Sequence, residues 1–238
     1  MMINYDRCPL CESKRLFAII DLRWRQCVDC DHVFTHEYMD IDELKQIINN
    51  KDVDLLNNIQ HQRHVWGPVV ERIHGYVSPP NTWIDVGCGV GRLVAVASEF
   101  GYDVLGIDIR EKYIAGLKQH GYNAMLGEIK DYKNNLVSII SMCDVLEHLP
   151  FPKQTLETAN LIMIDGGILM ISTPNMDSLP WVMYDYKGTN PYWQEVEHFH
   201  NFTRTRLYSL LRTCGFEPVM FAINSRFRFG MDIIARRI

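Results

Sequence analysis

Four of the seven cysteines fall into two pairs, Cys8-Pro-Leu-Cys11 and Cys27-Val-Asp-Cys30, with fifteen residues between them. Two residues between thiolates let a tight turn aim both sulfurs at one ion, and two such knuckles complete a tetrahedron of structural zinc type. That closed set leaves no position for water, so it would build structure and not catalyse. Metal ligation would also let a segment with little core of its own fold. His32 and His36 follow the second knuckle and read as packing or surface residues, because four cysteines already fill the shell. Cys88, Cys143 and Cys214 stand alone and read as chemically inert thiols.

A second constellation runs from Thr82 to Leu93, where Trp83-Ile-Asp85-Val leads into Gly87-Cys88-Gly89-Val-Gly91 and then an apolar-periodic stretch to Phe100. The pattern reads as strand, glycine turn and helix, with glycines that permit positive φ and close approach of a ligand. A dinucleotide site would prefer G-x-G-x-x-G, whereas the third glycine here comes one residue earlier. Val104 to Asp108 then reads as a buried strand ending in a carboxylate, placed to hold a ribose diol and to exclude a ribose phosphate.

A third set carries acid–base potential. Glu195-Val-Glu197-His198-Phe-His200-Asn-Phe-Thr203 gathers two imidazoles and two carboxylates at the end of an aromatic-rich insertion, Met176 to Thr203. Such a loop could close over an acceptor and exclude water, with His198 the leading general base and Glu197 beside it. His148, in Asp144-Val-Leu-Glu147-His148-Leu-Pro, either lines the pocket as a base or anchors a helix start; His200 reads as structural.

These residues resemble the class I S-adenosylmethionine-dependent methyltransferases, through the acid-headed D-x-G-x-G-x-G loop of residues 85 to 91 and Asp108. The 144–150 stretch and the Thr173-Pro-Asn turn are similar to ubiquinone-type O-methyltransferases. Glu197-His198 with Phe202-Thr203 is similar to the E-H-x-x-x-F-S segment of bacterial deoxysugar C-methyltransferases, which also carry an N-terminal cysteine zinc module. Those relatives have a further C-terminal domain, and this chain is expected to stop at its seventh strand. The resemblance covers roughly residues 80 to 238 and implies S-adenosylmethionine as cofactor. Asp85, Gly87, Cys88, Gly89, Gly91, Asp108, Ile109, Glu128 and Cys143 would then surround it, Glu128 as the acid near the adenine. One departure is Asn134-Asn135, where the family opens its fourth strand with aspartate.

The elements that must position these groups follow. The fold expected is α/β, a Rossmann-like seven-stranded sheet, mostly parallel with a reversed last strand, preceded by a small zinc ribbon-like module. Residues 1–40 form that module, 41–78 a helical connector over the cleft, with helices at Ile41 to Ile48 and Gln62 to Tyr76, and 79–238 the main domain. His64 and Trp66 on the second helix read as packing residues with a possible substrate contact. Arg204 to Cys214 reads as a helix stopped at Gly215, followed by a hairpin of Glu217 to Ile223 and Phe229 to Ala235.

A net charge of −5, from 24 basic and 29 acidic residues, gives no general attraction to nucleic acid. With no export signal or long apolar run, a cytoplasmic protein without a membrane partner is expected, as monomer or homodimer. The reaction expected is O-methylation of a small hydroxylated acceptor such as a sugar, nucleotide-sugar or quinone-like compound. Alternatives are C-methylation of a keto-deoxysugar, ribosomal RNA methylation, and a non-catalytic zinc adaptor.

Overall fold

The computed structural model describes residues 3–20, 22–38, 62–224, 226, 227 and 229–238. The helix read at Ile41 to Ile48 lies outside them. Seven strands form the central sheet: β6 (Thr82–Val86), β7 (Asp103–Asp108), β8 (Asn123–Leu126), β9 (Val137–Cys143), β10 (Met163–Pro174), β12 (Phe216–Ile223) and β13 (Gly230–Arg237). Their order is β12-β13-β10-β9-β6-β7-β8. β13 runs antiparallel to both its neighbours, and the pairings among β6 to β10 are parallel. This is the Rossmann-like methyltransferase arrangement that the motifs imply, reversed last strand included.

Side chains alternate across each strand and sort into two cores. Ile84, Val86, Ile140, Met142, Leu169 and Ile171 face α4 (Pro152–Ile162) and α6 (Arg204–Thr213). Trp83, Val104, Ile139, Ile168 and Met170 face α1 (Arg63–His74), α2 (Arg92–Glu99) and α3 (Glu111–Gln119). Both faces are covered, which is why the strands read as continuous apolar runs. β10 is longer than the Ile168 to Ser172 expected, because Met163 also pairs with Val137 across a register irregularity at Gly166, where φ is 74°.

The N-terminal segment is not a free-standing unit. β2 (Leu16–Ile19), β3 (Trp24–Cys27) and β4 (Val33–Thr35) form an antiparallel sheet whose fourth strand, β11 (His200–Asn201), comes from the far end of the aromatic insertion. β1 (Ile3–Asn4) pairs with β5 (Glu37–Tyr38). Tyr5, Phe34 and Tyr38 belong to the same buried cluster as Phe199, Phe202 and Leu207 of the main domain. The Tyr5 hydroxyl also donates to the Pro150 carbonyl. On the other face, Trp24 packs on Trp181 and Trp193, and its indole N–H donates to the Trp193 carbonyl at 2.9 Å.

The insertion's aromatic residues therefore divide by role. Trp181, Trp193, Phe199 and Phe202 are buried core, whereas Tyr186 is 93% exposed. Ser178 and Thr203 cap the helices on either side: α5 (Leu179–Tyr186) begins with Trp181 N donating to Ser178 Oγ, and α6 with Arg206 N donating to Thr203 Oγ1. The Phe202-Thr203 part of the motif is thus a core side chain followed by a helix cap. Among the described residues no helix is long and apolar enough to cross a membrane.

Candidate functional site

The four paired cysteines converge. Cys8 Sγ lies 3.6 Å from Cys30 Sγ, Cys11 Sγ lies 3.6 Å from Cys27 Sγ, and all four sulfurs are within 4.8 Å of one another. Sulfurs about 2.3 Å from one tetrahedral ion stand about 3.8 Å apart, so the donor set and its spacing fit a four-thiolate zinc site. The bond shared with the Cys8 thiol lowers Cys30 and raises Cys8, so the two sulfurs compete for one proton. His32 takes no part: it is fully buried, stacks on Phe34 and donates from Nε2 to His200 Nδ1 at 3.0 Å. His200 in turn donates from Nε2 to the Leu149 carbonyl at 2.9 Å, a structural role that ties the module to the main domain.

At the C-terminal edge of the central sheet, the loop after β6 turns through Gly87, Gly89 and Gly91, all at positive φ. The glycines do different things. A Cβ on Gly91 would overlap Leu117 of α3, so that position serves close packing of helix on helix. A Cβ on Gly89 would meet only the tip of Arg110, at 3.4 Å, so this is where the backbone faces a ligand space. Gly91→Ala, at φ 78°, is therefore expected to destabilise the fold by about 2–4 kcal/mol through backbone strain and overpacking. A denaturant midpoint shift worth under about 1 kcal/mol would contradict this packing account.

Asp108, at the end of β7, is almost fully engaged. Its Oδ2 accepts from Gly89 N at 2.8 Å and from Arg110 Nη2 at 2.7 Å, and its Oδ1 accepts from Arg110 N and Nε. The carboxylate thus closes the glycine loop against Arg110, a guanidinium with no signal in the motif. Asp85 is buried, its Oδ1 accepting from Ser141 Oγ at 2.6 Å while Ser141 accepts from the Trp83 indole. Burial pushes the Asp85 carboxyl up to about 7, against the stabilising Ser141 bond.

Three cavities meet here. One of about 230 Å³ is lined by Asp108, Ile109, Glu128, Val145, Leu149 and Glu197. A second, of about 260 Å³, lies across Gly87 and is lined by Trp66, Asp85, Cys88, Gly89, Cys143 and Arg226. The third, of about 420 Å³, is lined by Glu147, His148, Tyr192, His198, Phe227 and Phe229. Asp144 borders all three. Its backbone is left-handed at φ 58°, a conformation few non-glycine residues adopt, and its Oδ2 pairs with Arg226 Nη1 at 2.7 Å.

The imidazoles occupy the third cavity. His148 donates from Nδ1 to the Glu197 carbonyl at 2.7 Å, which fixes the tautomer and leaves Nε2 as the lone-pair nitrogen. His198 meets it edge-on, ring centroids 4.6 Å apart, and its buried Nδ1 has no hydrogen-bond partner among the described residues. Burial lowers both: His148 falls below the ordinary histidine value, and His198, with His148 adding to the effect, falls to about 3. Glu147 is fully buried, accepts from Thr173 Oγ1 at 3.0 Å and is pushed up to about 8, mainly by burial and then by Asp144. Donor atoms of Glu147, His148 and His198 lie within 4.8 Å of one another, so the group can exchange a proton or offer donors to a cation.

Of the groups singled out in sequence, Asp85, Gly87, Cys88, Gly89, Asp108, Ile109, Glu128 and Cys143 line the first two cavities, and Gly91 stands behind the loop. Glu128 is bound to Lys130 at 2.9 Å. Glu197 and His198, adjacent in sequence, line different cavities. Trp66 lines the second cavity, while His64 on the same helix is exposed. Glu147, Asp144 and Arg226 were missed as site residues. The first two lie in the motif already quoted, and the third carries no local signal.

A family model described as a methyltransferase domain matches residues 59–220. The chain belongs to this methyltransferase family. Among curated relatives, a ubiquinone biosynthesis O-methyltransferase from Bordetella avium is 28% identical over 154 residues, covering 57% of this chain and 61% of the relative. One of the same description from Roseobacter denitrificans is 26% identical, with 57% and 60% covered. The chain thus matches about 60% of these relatives' length. Among solved structures, a magnesium protoporphyrin IX methyltransferase from Synechocystis, with bound S-adenosylhomocysteine, has a TM-score of 0.60 at 18% identity, covering 83% of this chain and 94% of that one. The 1,6-didemethyltoxoflavin-N1-methyltransferase of Burkholderia thailandensis has a TM-score of 0.59 at 18% identity, with 88% and 97% covered. At such identities the likeness establishes that this member of the family has the methyltransferase fold.

Proposed function

We propose that the chain is an S-adenosylmethionine-dependent methyltransferase that methylates a hydroxyl of a small acceptor, with zinc held by Cys8, Cys11, Cys27 and Cys30 as a structural ion. The observation that carries this reading is the meeting of three cavities at Asp144, with the glycine loop on one side and two neutral imidazoles on the other. When bound, the cofactor supplies an already activated methyl group, so the protein's work is alignment and proton removal. Asp108 and Ile109 would hold the nucleoside end and the Gly87–Gly89 backbone the sulfonium end. Tyr192 and Phe229, with centroids 4.9 Å apart, would flank the acceptor. His148 Nε2 is the base best prepared for the acceptor's proton, because the Glu197 carbonyl fixes its tautomer; His198 packs edge-on against its ring. Burial in an aromatic-walled cavity excludes water that would compete for the methyl group.

C-methylation of a carbon acid would draw on the same imidazoles, and product analysis separates it from O-methylation. The test of the cofactor reading is calorimetry with S-adenosylmethionine. Wild type is expected to bind one equivalent and Asp108→Ala to bind at least about thirtyfold more weakly, since the loop then loses the acceptor for Gly89 N. No heat with wild type, or equal affinity in the variant, would sink that reading and favour a non-catalytic adaptor.

A further inference from the structure

Arg226 sits in the turn between β12 and β13, yet its side chain is only 7% exposed. Its guanidinium lies 4.2 Å from the Trp66 ring centroid and 5.4 Å from that of Phe227. Nη1 is taken by Asp144 Oδ2 at 2.7 Å. Nε and Nη2 are buried without a hydrogen-bond partner among the described residues. A guanidinium presents its donors in a planar fork suited to a carboxylate, and leaving buried donors unsatisfied is costly. The cavity that Arg226 borders is the one on the Gly89 face, which also holds Asp85, Asp144 and Arg92.

Both signs of charge in one small cavity are what a zwitterion requires. An acidic wall of Asp85 and Asp144 suits an ammonium, and the unpaired Nε–Nη2 edge of the Arg226 guanidinium suits a carboxylate. Arg110, which lines the same space, is already committed to Asp108 through two side-chain nitrogens. We infer that Arg226 is the anchor for the carboxylate of the cofactor's amino-acid end, held over the Trp66 ring by a cation–π contact and paired with Asp144. This rests on the cofactor reading above. It gives the β12–β13 turn and the helix carrying Trp66 a shared task, clamping one end of the cofactor from outside the glycine loop.

The test compares S-adenosylmethionine with its decarboxylated form, which lacks the group Arg226 would bind, by calorimetry on wild type, Arg226→Gln and Arg226→Lys. Wild type is expected to prefer the carboxylated form by at least about thirtyfold. In Arg226→Gln the preference shrinks to under about threefold, with affinity for the decarboxylated form kept. Arg226→Lys, which retains a charge for Asp144, falls between the two. Equal weakening of both ligands in Arg226→Gln would overturn the assignment in favour of a structural role. Unchanged cofactor affinity with a raised KM for the acceptor would overturn it in favour of an acceptor contact. A wild type that binds neither ligand would instead bring down the cofactor reading, and this assignment with it.

Discussion

His148→Ala is expected to lower kcat by about a thousandfold and His198→Ala by about a hundredfold, while affinity for S-adenosylmethionine changes by less than about threefold. The inequality follows from orientation. His148 has one nitrogen pinned to the Glu197 carbonyl and the other left as a base, whereas His198 has been pushed to about 3 and is a weak acceptor on its own. The pH profile carries a sign. A base works in its neutral form, and burial depresses both imidazoles below 6.5, so activity is kept as pH falls through 6.5 and is lost only at the lower folded value. An acid limb at or above 6.5 in kcat/KM would contradict this, as would full turnover in His148→Ala.

Removing the zinc proposed for the four cysteines is expected to have the second large effect. Chelation, or Cys27→Ser, is expected to lower the Tm by at least about 10 °C and to abolish turnover together with it. Structural four-thiolate sites contribute about 10–16 kcal/mol in isolated peptides, and each kcal/mol corresponds to about 2–4 °C for a chain of this size. The loss spreads because the cysteine module shares its core with the main domain through Phe34, Phe199 and Phe202. It reaches the site because β11, paired with β4, begins two residues after His198. Metal analysis should find one zinc per chain. A chelated protein with unchanged Tm and turnover would show the cysteines to be dispensable to fold and site alike.

What was legible in sequence is what local pattern encodes. The glycine loop, the strand-end Asp108, the cysteine knuckles and the closing hairpin each occupy a few consecutive residues, and the strand order follows from the family that those motifs indicate. The sheet shared between Val33–Thr35 and His200–Asn201 was not legible, because pairing across that distance leaves no periodicity. The commitment of Asp108 to Arg110 and the aim of Arg226 were equally hidden, since both depend on which side chains meet in space. Glu197 and His198 show the same limit at shortest range. Adjacent in sequence, they line different cavities because neighbouring side chains in a non-helical segment need not face the same way.

The most direct test is a crystal structure with S-adenosylhomocysteine. Its ribose is expected beside Asp108, its sulfur at the Gly87–Asp144 junction open toward His148, and its amino-acid end between Trp66 and the glycine loop. Ligand bound elsewhere, or a sulfur walled off from the cavity that holds the two imidazoles, would contradict it.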